Sequence, residues 1–123
     1  MIDHVSVQVN DLAASSAFYA AVLAPLGGRR LVDEGDAVGY GTDRPSFWLS
    51  VKQSPEPAAE VHFAFTAATR DEVHAFHAAA TAAGAETVHA PRVWAEYHEN
   101  YFAVFVRDPD DNNVEAVCHA PQG

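Results

Sequence analysis

The sequence predicts an α+β fold of two βαβββ modules, whose curled mixed sheets surround a cleft with the helices outside. Three observations predict it. The run His4-Val-Ser-Val-Gln-Val lies over His62-Phe-Ala-Phe as an internal repeat. An alanine-rich stretch follows each run, with Phe18 and Phe76 at the same distance after their histidines. Both stretches then stop at glycine, Gly27-Gly28 and Gly84, where a helix C-terminus belongs.

The elements follow in order. Residues 2–9 alternate as a strand should. Asn10 or Asp11 caps a helix running to about Leu26, with Phe18, Val22 and Leu26 on one face. Short strand-like runs then occupy about 29–33, 37–41 and 46–52. Segment 53–59, with Pro55 and Pro57, joins the halves, because proline cannot sit in a central ladder. A second strand carries Glu60-Val61-His62-Phe63-Ala64-Phe65, and Thr69-Arg-Asp-Glu72 is a capping box opening a helix with Val73, Phe76 and Ala80 on one face. Strands over about 85–89, 101–107 and 113–118 complete the second half. Between the last two, Asp108-Pro-Asp-Asp-Asn-Asn113 is a turn by composition, with Asp43-Arg-Pro-Ser46 as its counterpart. The chain thus reads as one domain over 1–123, module 1 spanning about 1–53 and module 2 about 59–119.

Bulk properties narrow the function classes. The chain has 123 residues, 49% of them hydrophobic, which is enough for one compact core. No apolar run approaches the roughly 18 residues of a membrane helix, and the start, Met1-Ile2-Asp3-His4, carries no signal-like stretch, so a cytoplasmic protein is expected. Cys118 is the only cysteine; it permits no internal disulfide and reads as a small core residue. A formal charge of −10 argues against nucleic acid or an anionic membrane as partner and leaves a small-molecule substrate.

Chemistry concentrates in two places. His4, His62 and Glu115 occupy inward-capable positions on three separate strand-like runs. Two imidazoles and a carboxylate at one point bind a divalent metal and leave coordination sites open. Glu115 sits between Val114 and Ala116 in an apolar strand, where an unpaired carboxylate is costly and a cation removes the cost. The segment Trp94-Ala-Glu-Tyr97-His98-Glu-Asn-Tyr101 is dense in donors, acceptors and aromatics. As a loop at a strand mouth it forms a natural pocket wall, on which Tyr97, His98 and Tyr101 are the candidate catalytic residues. His74 and His77 read as solvated, and His89 and His119 as surface residues near strand ends. Arg29-Arg30 follows a helix C-terminus, where positive charge is favoured.

These marks resemble the vicinal oxygen chelate superfamily, which includes glyoxalase I, extradiol dioxygenases, fosfomycin-resistance enzymes and bleomycin-binding proteins. Ile2-Asp3-His4-Val5, Phe18-Tyr19 with Leu26-Gly27, Val61-His62-Phe63-Ala64-Phe65 and Asp108-Pro-Asp-Asp-Asn112-Asn-Val-Glu115 carry the resemblance across the chain. It implies metal ligands on the first and last strands of each module, at positions that His4, His62 and Glu115 match. The fourth position, an acid or amide in glyoxalase-like members, aligns with Trp48, which cannot ligate. Two histidines and one carboxylate form the ligand set associated with Fe(II) and open sites, with Zn, Ni or Mn as alternatives.

The resemblance therefore implies a metal-dependent enzyme acting on a small substrate with vicinal oxygens, with dioxygenase-like chemistry favoured. A glyoxalase-like lyase or isomerase is the alternative, and a non-catalytic drug-binding protein is the rival from another class. A homodimer is expected, because curled half-sheets leave edges and apolar surface to cover. Whether the site is built within one chain or across two stays open at the level of sequence.

Overall fold

Alternation of Val5, Val7 and Val9 with polar residues makes the first strand, β1 (Val5–Val9), which starts one residue after His4. The computed structural model describes residues 1–121. Asp11 caps α1 (Leu12–Leu23) by accepting the Ala14 N–H at 3.0 Å. A 3-10 turn (Ala24–Leu26) extends that helix, because Pro25 suits the first turn of a new helical segment, and Gly27 closes it at φ 83. Strands β2 (Arg29–Asp33), β3 (Ala37–Gly41) and β4 (Phe47–Val51) follow. Arg29 and Arg30 open β2, just after the Gly27 cap that ends the helical segment.

The second module repeats the plan with β5 (His62–Thr66), α2 (Arg70–Ala82), β6 (Thr87–Val93), β7 (Phe102–Arg107) and β8 (Asn113–Cys118). The capping box is formed as the sequence predicts: Glu72 N–H donates to Thr69 Oγ1, and Thr69 N–H donates to the Glu72 carboxylate. Strand β6 runs further than its predicted 85–89 and includes Pro91. It is the edge strand of its sheet, where a missing N–H costs little.

The two mixed four-stranded sheets have the orders β1-β4-β3-β2 and β5-β8-β7-β6, and neither closes on itself. In each, the first strand runs parallel to the last strand of its module and the other pairs are antiparallel. One face of each sheet, with Val7, Val9, Phe47 and Leu49 in the first and Val104, Val106, Val114 and Ala116 in the second, joins the helices in a single core. The helices also pack on one another. Tyr19 from α1 meets Phe47 of the first sheet at 4.9 Å between ring centroids and Phe63 of the second at 6.3 Å, so the modules share this core.

A polar fastener backs up the apolar joint. Asp108, only 4% exposed, accepts from Tyr19 OH at 2.6 Å, Asn112 Nδ2 at 3.0 Å, and the Asp110 and Asn112 backbone N–H groups at 2.9 Å. Asp110 in turn accepts from Asn10 Nδ2 at 2.6 Å and from Ser15 Oγ at 3.3 Å. Asn112 Oδ1 takes the Val61 N–H at 2.9 Å. The Asp-Pro-Asp-Asp-Asn turn, including Asp111 at φ 63, is thus a clasp from module 2 onto the first helix. Burial first, then Asp108, pushes the Tyr19 phenol above the ordinary tyrosine range, so it remains a donor.

With the helix side filled, strand alternation directs the remaining side chains to the opposite, cleft faces. In the second sheet this face holds a smaller cluster of Trp94, Ala103, Phe105 and Val117, with Val88 and Tyr101 against it. In the first it holds Ser6, Gln8, Trp48 and Ser50, all half-buried or exposed.

Candidate functional site

Strand pairing puts the repeat on a structural footing. Ser6, two residues after His4, pairs with Trp48, and Ala64, two residues after His62, pairs with Glu115. On the other side, Trp48 pairs with Gly39 and Glu115 with Phe105. Trp48 therefore occupies the place in module 1 that Glu115 occupies in module 2. Gly39 makes that possible, because a Cβ there would lie 3.1 Å from the Trp48 ring.

Two of the three candidate metal ligands come together. Glu115 is 2% exposed in the middle of its sheet, and its Oε1 stands 3.2 Å from His62 Nε2. Tyr101 OH donates to the other oxygen, Oε2. His62 Nδ1 lies 3.0 Å from the Asn113 carbonyl, which can only accept, so Nδ1 carries a proton and the neutral ring has its lone pair on Nε2, toward Glu115. The His62 ring lies over Phe105, with centroids 6.0 Å apart and planes 21° from parallel. Together His62, Tyr97, His98, Tyr101, Phe105 and Glu115 line an open pocket of about 430 Å³.

His4 does not join them within the chain. It precedes β1, is exposed, and lies outside that pocket. Its Nδ1 is 2.7 Å from Asp3 Oδ1, and Asp3 also accepts from Arg44 Nη1 at 3.3 Å. The His4 hydrogen bond first, then Arg44, holds the Asp3 carboxyl below the usual carboxylate range. A carboxylate acceptor places a proton on His4 Nδ1, so the neutral His4 ring, like that of His62, has its lone pair on Nε2. A ligating histidine with its other nitrogen tied to a carbonyl or carboxylate is the usual outer arrangement of a metal site.

The residues present fit a divalent cation as far as one chain reaches. The His62 lone pair and the Glu115 carboxylate are both acceptors, and they face each other across 3.2 Å with nothing to share unless a proton or a cation lies between. Two ligands each about 2.1 Å from a metal stand about 3.0–3.4 Å apart, which matches. Asn113 Oδ1, on the same strand as Glu115, is also a buried acceptor without a partner among the described residues. Those residues hold no group of three His, Cys, Asp or Glu side chains that would complete a site.

Tyr97, His98 and Tyr101 all line this pocket, and His119 backs one of them from outside it. Trp94 is clamped by the Arg92 guanidinium, 3.4 Å from its ring centroid, and by Tyr97, stacked at 5.8 Å. The Trp94 N–H donates to the Tyr101 carbonyl at 2.7 Å, which closes the 94–101 loop. Burial first, then the bond to Glu115, pushes the Tyr101 phenol above its ordinary range, so it is a donor toward the carboxylate. The Asn100 N–H donates to His98 Nδ1 at 3.1 Å, which leaves the His98 proton on Nε2 and directs it to His119 Nδ1 at 2.7 Å. His119 is exposed, as the sequence reading expects, yet it is the partner of a pocket residue.

Of the other histidines, His77 bonds Thr87 at 2.9 Å, His74 rests on Phe102, and His89 packs edge-on to Trp94 and Phe105. Cys118 is a buried free thiol in the main core. Phe105 and Asn113 are the functional neighbours that sequence reasoning missed. Phe105 was recognisable only as an alternate position of the strand after the polar loop. No helix among the described residues is long and apolar enough to cross a membrane.

Known proteins share this fold. Residues 1–116 match the family described as the Glyoxalase/Bleomycin resistance protein/Dioxygenase superfamily. The protein YqjT of Bacillus subtilis (strain 168) is 29% identical over 125 residues, covering 94% of this chain and 96% of its own length. A glyoxalase/bleomycin resistance protein from Albidiferax ferrireducens T118 has a crystal structure that superposes with a TM-score of 0.84. It shares 30% identity over 94% of this chain and 97% of that one. At 17% identity, the fosfomycin resistance protein FosX from Listeria monocytogenes, complexed with Mn(II) and 1S,2S-dihydroxypropylphosphonic acid, shares the fold. Its TM-score is 0.70, over 95% of this chain and 88% of its own.

Proposed function

Because the chain belongs to the Glyoxalase/Bleomycin resistance protein/Dioxygenase superfamily, we propose that it is a metal-dependent enzyme acting on a small substrate with vicinal oxygens, with dioxygenase-like chemistry. One observation carries this reading: a bare His62 Nε2 faces a buried Glu115 oxygen at 3.2 Å, at the floor of an open aromatic pocket. His62 and Glu115 are two of the proposed ligands and His4 the third. Trp48, which has no donor for a metal, holds the fourth position of the pseudo-symmetric pair. A divalent ion bound there, Fe(II) by preference and Zn, Ni or Mn otherwise, supplies Lewis acidity and, for Fe(II), reactivity toward O2.

This chain's own residues do the rest. Phe105 and Tyr97 flank a flat substrate and exclude water from the Glu115 side. His98 and Tyr101 stand at the pocket wall with their protons engaged by His119 and Glu115, so a substrate oxygen that takes either one as donor displaces that partner. His4 lies outside the His62–Glu115 pocket of its own chain, so the reading includes a homodimer in which module 1 of one copy faces module 2 of the other. The exposed Ser6, Gln8 and Trp48 face then gains a partner.

O2 uptake with a panel of catechols, in protein reconstituted with Fe(II), tests the reading. Uptake that disappears in His62→Ala, Glu115→Ala and His4→Ala is expected. Turnover of a thiol–ketoaldehyde adduct without O2 consumption would replace the dioxygenase choice with the lyase or isomerase one. The pocket of module 2 stands open and aromatic without module 1, which favours a second reading of non-catalytic binding of a drug-like cation. Full binding of such a ligand by metal-free His62→Ala protein would select it.

A further inference from the structure

The two oxygens of Glu115 have different partners, and that asymmetry goes beyond naming ligands. Oε1 faces the bare His62 Nε2 at 3.2 Å, whereas Oε2 accepts the Tyr101 hydroxyl. The carboxylate is 2% exposed, so little water reaches it beside these two partners. The Tyr101 ring is itself held on two sides. Its backbone carbonyl accepts from the Trp94 N–H at 2.7 Å, and its ring sits edge-on against Tyr97 at 4.9 Å and His119 at 5.2 Å. Two aromatic neighbours and the Glu115 carboxylate thus share the positioning of the phenol.

We propose that Tyr101 is a positioning residue that holds Glu115 as a one-oxygen ligand: it occupies Oε2 and presents Oε1 alone beside His62 Nε2. The inference rests on the metal reading above and narrows the part of Tyr101 from proton carrier to orienting donor. A carboxylate that binds through both oxygens fills two coordination positions, whereas one tied back by a phenol fills one and leaves more of the metal open to a chelating substrate. The Asn113 carbonyl does for His62 what Tyr101 does for Glu115, because it ties off Nδ1 at 3.0 Å and directs Nε2 inward. Both first ligands are thereby oriented by groups of the same sheet and its adjoining loop before any ion arrives.

Titration of the full-length protein with Co(II), followed by visible absorption and calorimetry, tests the proposal in wild type, Tyr101→Phe and His62→Ala. Tyr101→Phe keeps the ring and removes only the donor. Affinity about 10–100-fold weaker than wild type, with a changed Co(II) spectrum, is the expected result. Affinity within twofold of wild type and an unchanged spectrum, with binding lost in His62→Ala, overturns the role of Tyr101 and leaves the metal reading standing. If wild type binds no Co(II), the metal reading falls and Tyr101's role falls with it. Should Tyr101→Phe fold poorly, Tyr101→Gln against Tyr101→Leu gives the second comparison. Tighter Co(II) binding by the amide donor is expected, and equal affinity contradicts the proposal.

Discussion

The cleft faces of the two sheets share a strand plan and a pairing register and differ at one matched pair of positions. Module 2 carries Glu115 beside Phe105; module 1 carries Trp48 beside Gly39. The swap conserves bulk across the pair, a large ring on a glycine in one and a carboxylate beside a ring in the other. It does not conserve chemistry. The second face gathers a lone-pair imidazole, a buried carboxylate and a phenol, whereas the first offers an indole and hydroxyls, with Ser6 Oγ 3.5 Å from Ser50 Oγ. A duplicated scaffold can therefore gather acceptors on one half and leave an indole and hydroxyls at the matching positions of the other. The lesson is that a repeat predicts positions and not the residues' roles.

The strongest way to break this asymmetry is to remove the acid. Glu115→Ala leaves His62 Nε2 facing nothing, and divalent-metal affinity should fall at least about 100-fold by calorimetry, while Ser50→Ala on the other face changes it less than about twofold. Adding an acid to the silent half sharpens the comparison from the other side. Trp48→Glu recreates the Glu115 position next to Gly39, and Co(II) titration should show a changed spectrum if the two faces meet in a dimer. Mixing His4→Ala with Glu115→Ala protein probes that dimer directly, because a cross-chain site regains a share of metal-dependent O2 uptake and a site within one chain regains none.

Smaller effects belong to the clasp between modules. Tyr19→Phe removes a donor from a buried carboxylate and should cost about 1.5–3 kcal/mol in denaturant unfolding. The same phenol gives a pH signature. Its ionisation is raised above the ordinary value of about 10 in the folded state only, so its contribution is complete below that pH. Above it the unfolded chain loses the proton first, and stability falls as pH climbs. Thermal melts from pH 9 to 11 should show this decline, reduced in Tyr19→Phe. Gly39→Ala is expected to have the smallest cost, about 1 kcal/mol, because its Cβ would press on Trp48 and Pro45 at 3.0–3.1 Å.

Much of this was legible in the sequence where local chemistry and repetition agree. The Thr69–Glu72 capping box and the Gly27 cap follow from rules that act within a few residues. The equivalence of Trp48 and Glu115 followed from aligning two turns, and the pairing register bears it out. What stayed hidden depends on distant partners. Asp108 reads as a turn former, yet its carboxylate is spent on Tyr19, far earlier in the chain. His119 reads as a surface residue because nothing local reveals the His98 ring that meets it. The tautomers of His4 and His62, on which the metal argument turns, are set by Asp3 and by the Asn113 carbonyl, and only three-dimensional contact reveals the second.

His62 Nε2 and Glu115 Oε1 are proposed as half of a divalent-metal site. An anomalous difference map from crystals soaked in Mn(II) tests it most directly. A peak about 2.0–2.3 Å from both atoms is expected, with Tyr101 still on Oε2. A saturating soak that leaves that point empty, with His62 Nε2 hydrogen-bonded to Glu115, would contradict it.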